Sequence, residues 1–268
     1  MNSLAVASAT PPVVLTVAGT DSGGAAGIAA DLATVGHLGG HGACVVSAVT
    51  AQDTLGVRAV HPVPLDAVEA QLDAVFDDLP VASVKTGMLG SAEVVALVAR
   101  RVRAAGVPLV VDPVLVATSG ATLGDAGVVR AYLDHLLPVA TVCTPNLDEA
   151  TALVGRCGSA RELAGALAEL GHTSLVTGGE SGQDWLTVPG ACPVEIAHRS
   201  VATTNDHGTG CTHSSALATH LAHGRSLPEA AALAAAYTAH QLAVSQPWDL
   251  GRGRGPVAHT PPTTGARP

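Results

Sequence analysis

Six apolar runs set the strongest limit on how this chain can fold: Val13–Gly19, Ala43–Thr50, Ser83–Met88, Leu109–Asp112, Thr141–Thr144 and Ser174–Thr177. They alternate with alanine-rich segments of helical character near 25–38, 65–79, 91–105, 125–137, 147–154, 160–170, 209–223 and 228–245. Val68, Leu72 and Val75, like Leu217 and Leu221, repeat at the three- and four-residue spacing of one buried helix face. Strands that are apolar throughout need cover on both faces, and helices between parallel strands provide it. The pattern predicts a single doubly wound α/β domain over residues 12–257, a mostly parallel sheet with helices on both faces. Residues 1–11 and 258–268 read as flexible tails. Trp185–Val188 and Val194–His198 flank a Pro-Gly turn and read as a short hairpin.

Aromatic residues make up only 2% of the chain against 47% hydrophobic residues, so Ala, Val and Leu must build the core. Charged residues are 13%, sparse for the surface of a monomer, which points to a homodimer. A formal charge of −9 argues against nucleic acid as a partner, because its phosphates need a basic face. No apolar run reaches membrane-spanning length, and the N-terminus lacks the basic start of a signal peptide. The five cysteines show no CxxC spacing, which favours reduced thiols and a cytoplasmic location over zinc or disulfides.

In an open parallel sheet, ligands collect where strands end and helices begin. Here those ends are Gly19-Thr20-Asp21-Ser22-Gly23-Gly24, Thr50-Ala51-Gln52, Gly87-Met88, Asp112-Pro113, Thr144-Pro145-Asn146 and Thr177-Gly178-Gly179, all polar or glycine-bearing. The first loop is neither GxGxxG nor GxxxxGK[ST], which argues against a dinucleotide fold or a Walker-type site. The Gln52 amide can pair at once with a ring nitrogen and an exocyclic amine of a heteroaromatic ligand. Asn146 and Glu149 form a helix-capping pair, or else supply oxygen near a hydrated Mg²⁺ bridging phosphates. Asp112 fits the same metal role, or simple Asp-Pro turn chemistry. The scattered histidines, His37, His41, His172, His213 and His220, share no ligand spacing and read mostly as solvated.

The run Thr204-Asn205-Asp206-His207-Gly208-Thr209-Gly210-Cys211-Thr212 opens directly into an alanine- and leucine-rich helix. Glycines at such a start let several N–H groups converge on one anion, and the helix dipole there favours thiolate over thiol at Cys211. An anion hole beside a proton acceptor is the equipment of phosphoryl transfer. The bland alternative is a tight turn with a buried thiol.

Assembled, these blocks resemble the hydroxymethylpyrimidine/phosphomethylpyrimidine kinases of thiamine biosynthesis, within the ribokinase superfamily. The blocks are Ala18–Gly24 with Ala30-Asp31-Leu32, Ala48–Val57, Lys85–Leu89, Val111–Val114, Thr144–Leu147 with Glu149-Ala150, His207–Thr212 and the closing Gly251, Gly253 and Gly255-Pro256-Val257. The resemblance implies a ribokinase-like three-layer α/β/α fold and Mg-ATP-dependent phosphorylation of a hydroxymethylpyrimidine, of its monophosphate, or of both. It further implies Cys211 as general base with Gly208 and Gly210 as anion hole, and Gln52, Gly19, Ala26, Asp31 and Met88 around the pyrimidine. Asn146, Glu149, Thr177, Gly179 and Thr209 would then meet the nucleotide phosphates, with Asp112 and Glu149 toward Mg²⁺. The family's usual Lys-Gly-Gly-His is here Thr177-Gly178-Gly179-Glu180, and Lys85 is the only lysine, so only an arginine could stand in. Asp206 adds negative charge beside the turn. Pyridoxal-type vitamin kinases share the cysteine form of the motif, and the missing lysine also fits a catalytically weak pyrimidine-binding sensor.

Overall fold

The computed structural model describes residues 10–115, 125–178 and 182–259. Its single sheet has nine strands: β1 (Val13–Gly19), β2 (His41–Asp53), β3 (Gly56–Pro62), β4 (Val81–Thr86), β5 (Leu109–Val111), β6 (Val142–Cys143), β7 (Ser174–Val176), β8 (Gln183–Thr187) and β9 (Val194–Ala197). They lie in the order β3-β2-β1-β4-β5-β6-β7-β8-β9. Strands β2, β1, β4, β5, β6 and β7 are mutually parallel, while β3, β8 and β9 join antiparallel at the two edges. The chain leaves β1 toward β2 on one side and returns to β4 on the other, so the topological switch lies at β1 and β4.

Every residue of β1 is buried, because helices cover both faces of the sheet. The period-two alternation divides its side chains between two cores: Leu15 and Val17 face one, Val14 the other. Leu109, Val111 and Val176 join the first core, and Val110, Val142 and Leu175 the second. Helices α2 (Leu65–Asp78), α3 (Ala92–Ala105), α4 (Ala126–Ala131), α5 (Leu147–Val154) and α6 (Ala160–Glu169) contribute to the first core. Helices α7 (Thr209–Ala222) and α8 (Leu227–Ser245) line the second, with Val35 of α1 (Gly27–His37). There Ala216 and Ala218 join Ala230, Ala231, Ala234 and Ala235, so small side chains supply dense packing, with Tyr237 the aromatic packed against it.

Most expected elements form within a few residues of their expected limits, and three regions differ. Residues 125–137 make one turn-and-a-half of α4, then a π-helical turn over Tyr132–Leu136 and a 3-10 turn ending at Val139. Pro138 cannot donate the hydrogen bond that continuation would need, and the π turn carries the fully buried Tyr132 toward the Gly87 carbonyl at 3.4 Å. Strand β2 runs on to Asp53 and folds back as β3, an edge strand not expected from the sequence. Ala258 is fully buried, and His259 Nε2 lies 2.9 Å from Thr212 Oγ1, so the packed domain extends past residue 257. Residues 1–9 and 260–268 of the expected tails lie outside the described residues.

Candidate active site

The C-terminal ends of β1, β2, β4, β5, β6 and β7 open into one cleft of about 210 Å³. Gly19, Ala26, Gln52, Met88, Asp112, Thr144, Asn146, Glu149, Thr177, Gly208, Thr209, Gly210 and Cys211 all line it. A second cleft of about 310 Å³ adjoins it, walled by His198–Val201 and by Ala235, Thr238, Ala239 and Leu242 of α8. The two share Asn146, Thr177, Asp206, Thr209, Gly210 and His213, so the start of α7 stands at their junction. Gly179 lies outside the described residues.

The turn before α7 is held from two sides. Gly208 has φ of 92°, and a Cβ there would overlap the Ala25 carbonyl, so the turn sits directly on the β1–α1 loop. Asp21 organises that loop: its carboxylate accepts N–H bonds from Gly23 (2.8 Å), Ala25 (3.1 Å) and Ala26 (2.9 Å). His207 Nε2 lies 3.1 Å from the same carboxylate and 2.8 Å from the Gln52 amide. Burial opposes ionisation of Asp21, but the His207 contact and the N–H donors outweigh it and lower its pKa. Asp21 and His207 thus tie the Gly208 turn to Gln52, a positioning role that neither residue type announces by itself.

At the start of α7, Thr209 N–H bonds to Asp206 and Thr212 N–H to Gly208. The N–H groups of Gly210 and Cys211 between them find no acceptor among the described residues. Two unengaged donors thus stand together at a helix start, in the turn where Gly208 and Gly210 were expected to form an anion hole. Asp206 does not add free charge here, because the Arg254 guanidinium engages it through Nε at 2.7 Å and through a second, shorter contact.

Beneath the cleft floor lies a buried charge cluster. Asp31 does not face the cleft: it is wholly buried and accepts from Thr16 Oγ1 (2.5 Å), Ser215 Oγ (2.7 Å) and Lys85 Nζ (2.8 Å and 3.0 Å). Lys85, equally buried, also lies 3.9 Å from Asp112. Burial works against its charge, but Asp31, the Cys211 sulfur and Asp112 overcome this and raise its pKa. The chain's sole lysine is therefore committed to buried carboxylates below the site.

Cys211 Sγ accepts from the Gly27 N–H at 3.4 Å. The helix start was expected to favour its thiolate. Instead burial pushes the thiol up to about 12, with Asp31 and Asp112 adding to the shift and Lys85 and Gly27 opposing it. The helix end supplies a fraction of a charge, whereas enclosure and two nearby carboxylates act on the full charge.

Asn146 and Glu149 do form a capping box at α5, with reciprocal bonds of 2.9 and 3.0 Å. They also line the cleft, so capping and site membership coincide. Burial, then the neighbouring Asp112, push Glu149 up to about 8. Asp112 itself is raised, chiefly by burial, and accepts from Ser214 Oγ at 3.0 Å.

His198 and Asp184 form a pair at 3.3 Å beside the second cleft. The bond to Asp184 raises the His198 pKa above its ordinary 6.5, and Asp184 is lowered from 3.8 despite its burial. A raised histidine stabilises fully below pH 6.5 and loses that contribution as pH climbs through its folded pKa. A lowered aspartate stabilises above pH 3.8 and loses it on acidification. His198→Gln is thus expected to lower the melting temperature most between pH 3.8 and 6.5, with the difference shrinking under alkaline conditions. Thermal melts of both proteins across pH check this.

Residues 21–258 match the family model described as phosphomethylpyrimidine kinase. The chain is 46% identical over 256 residues to a hydroxymethylpyrimidine/phosphomethylpyrimidine kinase of Rhizobium meliloti (strain 1021), covering 92% of this chain and 96% of that one. The crystal structure of phosphomethylpyrimidine kinase from Clostridium difficile 630 superposes with a TM-score of 0.74 at 33% identity, over 85% of this chain and 98% of that one. Pyridoxal kinase from Staphylococcus aureus in complex with AMP-PCP and pyridoxal gives 0.82 at 29% identity, over 94% of each chain.

Proposed function

Since the chain belongs to the phosphomethylpyrimidine kinase family, we propose that it transfers the γ-phosphoryl group of ATP to 4-amino-5-hydroxymethyl-2-methylpyrimidine, to its monophosphate, or to both, in thiamine biosynthesis. The observation that carries this reading is the position of the α7 start between two adjoining clefts. In the first, Gln52 offers paired donor and acceptor groups to the pyrimidine edge, while Gly19, Ala26 and Met88 form apolar walls. In the second, Ala235, Ala239 and Leu242 give an apolar seat for adenosine. The Gly210 and Cys211 N–H groups then stand where the phosphoryl group crosses, pre-oriented toward its oxygens.

Cys211 Sγ borders the acceptor cleft and takes the hydroxyl proton as the new O–P bond forms. The residues suit Mg²⁺: Asp112 and Glu149 are hard-oxygen donors whose pKa values burial raises, with Asp112 adding to the shift at Glu149, a penalty that a cation would relieve. Mg²⁺ bound there screens the polyphosphate and offsets the Asp112 charge that disfavours the Cys211 thiolate. Asp112 and Glu149 are the side chains that would hold the ion; no group of three or more His, Cys, Asp or Glu side chains is arranged as a metal cage among the described residues.

Exposed Val49, Leu55 and Val60 in the β2–β3 region, together with the low charge content, support a homodimer. The five free cysteines support a cytoplasmic setting, and no helix among the described residues is long and apolar enough to cross a membrane. ADP release measured with hydroxymethylpyrimidine, its monophosphate and pyridoxal as separate acceptors tests the assignment. The pyrimidines are expected to turn over with the higher kcat/KM. A preference for pyridoxal makes the protein a pyridoxal-type kinase, and binding without turnover makes it a sensor.

A further inference from the structure

His213 is 5% exposed, and its Nε2 is buried without a hydrogen-bond partner. It stands three residues after Gly210 on α7 and forms part of the wall of both clefts. Its neighbours on the other elements are Asp184 of β8 and His198 after β9, but those two are already engaged with each other. Asp184 also accepts from the Gly178 N–H at 3.0 Å. Burial lowers the His213 pKa, so at neutral pH the ring is uncharged, with one nitrogen a donor and the other an acceptor. A buried imidazole with an orphaned nitrogen costs free energy that an apolar side chain of similar size would avoid. It sits, moreover, at the one place where the clefts meet, among N–H groups that themselves lack acceptors.

The surroundings are poor in cations. Lys85 is committed to Asp31 below the floor, and Arg254 to Asp206. Arg199 is the sole lysine or arginine among the described residues lining either cleft. A polyphosphate at the junction has Arg199 as its one cation among these lining residues and otherwise depends on neutral donors, of which the His213 ring is one.

We propose that His213 is a nucleotide-phosphate ligand of this kinase, its ring completing the missing hydrogen bond on an oxygen of the bound polyphosphate. The inference rests on the reading of the second cleft as the nucleotide site. It makes His213 a residue of donor binding, distinct from Gln52 on the acceptor side.

The test compares His213→Leu and His213→Gln with the unaltered protein, using calorimetric titration of a non-hydrolysable ATP analogue and steady-state kinetics. Loss of a hydrogen bond to a charged oxygen is expected to weaken the analogue and raise the KM for ATP in the leucine variant by roughly tenfold or more. The KM for the pyrimidine stays within about twofold, because the lost contact is to the other reactant. The glutamine variant, which keeps a donor, recovers most of the nucleotide affinity. A folded leucine variant that binds the analogue like the unaltered protein overturns the proposal. If that variant does not fold, ¹⁵N spectra of the unaltered protein decide, with the His213 ring signals assigned by their loss in the glutamine variant. Those signals must move on adding the ATP analogue and stay in place on adding pyrimidine alone; signals unmoved by the analogue overturn the proposal. An unaltered protein that binds pyrimidine but no nucleotide overturns the reading of the second cleft itself, an outcome visible before any variant is made.

Discussion

Replacing Cys211 with alanine is expected to lower kcat by roughly 10²–10⁴-fold while leaving pyrimidine affinity nearly unchanged. Cys211 lines the first cleft at the start of α7, and its Sγ lies beside the Gly27 N–H at 3.4 Å, the position the proposed base needs. In the proposed mechanism, removing it takes away the proton acceptor but not the Gln52 amide or the walls at Gly19 and Met88. Cys211→Ser is expected to be almost as slow, although it keeps nearly the same shape, because a hydroxyl is far harder to ionise than a thiol. The two variants together separate chemistry from packing. Single-turnover rates with binding measured in parallel give the answer, and full turnover in the alanine variant removes Cys211 from the base role.

Lys85→Met is expected to destabilise the fold by roughly 3–5 kcal/mol, because it leaves a buried carboxylate without its cation. Asp31 has no solvent to turn to, being wholly buried, and the hydroxyls of Thr16 and Ser215 carry no charge to replace the ammonium. At this chain length the melting temperature should fall by roughly 10 °C. Lys85→Met combined with Asp31→Leu removes both charges and is expected to be less damaging than the single change. Activity should fall in the single variant even well below its melting temperature, since Lys85 is the charge that favours the Cys211 thiolate. Thermal melts of the single and double variants test the first claim. Equal losses in both would show that packing, not charge pairing, holds this cluster.

Much of this architecture was legible in the sequence because hydrophobic periodicity is local. The β1 strand at Val13–Gly19 and the α5 helix at Leu147–Val154 form where their residues alone indicate. The strand-end residues converge because a parallel sheet places all its C-terminal ends on one edge. Strand β3 was not legible, since only its pairing with the overlong end of β2 makes Gly56–Pro62 a strand. The burial of Asp31 was hidden for a related reason. Its partner Lys85 is 54 residues away, and a lone aspartate near a ligand loop looks the same whether it faces outward or down. Cys211 carried a correct signal for position and a misleading one for ionisation, because helix dipoles are visible in sequence and enclosure is not. His213 read as a solvated histidine for the same reason: nothing in its neighbours along the chain announces a partnerless buried ring.

The most direct test of the central claim is a ³¹P NMR time course of the purified protein with Mg-ATP and hydroxymethylpyrimidine. The expected result is loss of the ATP γ-phosphate signal matched by a new phosphomonoester, followed by a diphosphate signal if the monophosphate is also an acceptor. ATP that persists unchanged while the pyrimidine is shown to be bound would contradict the account.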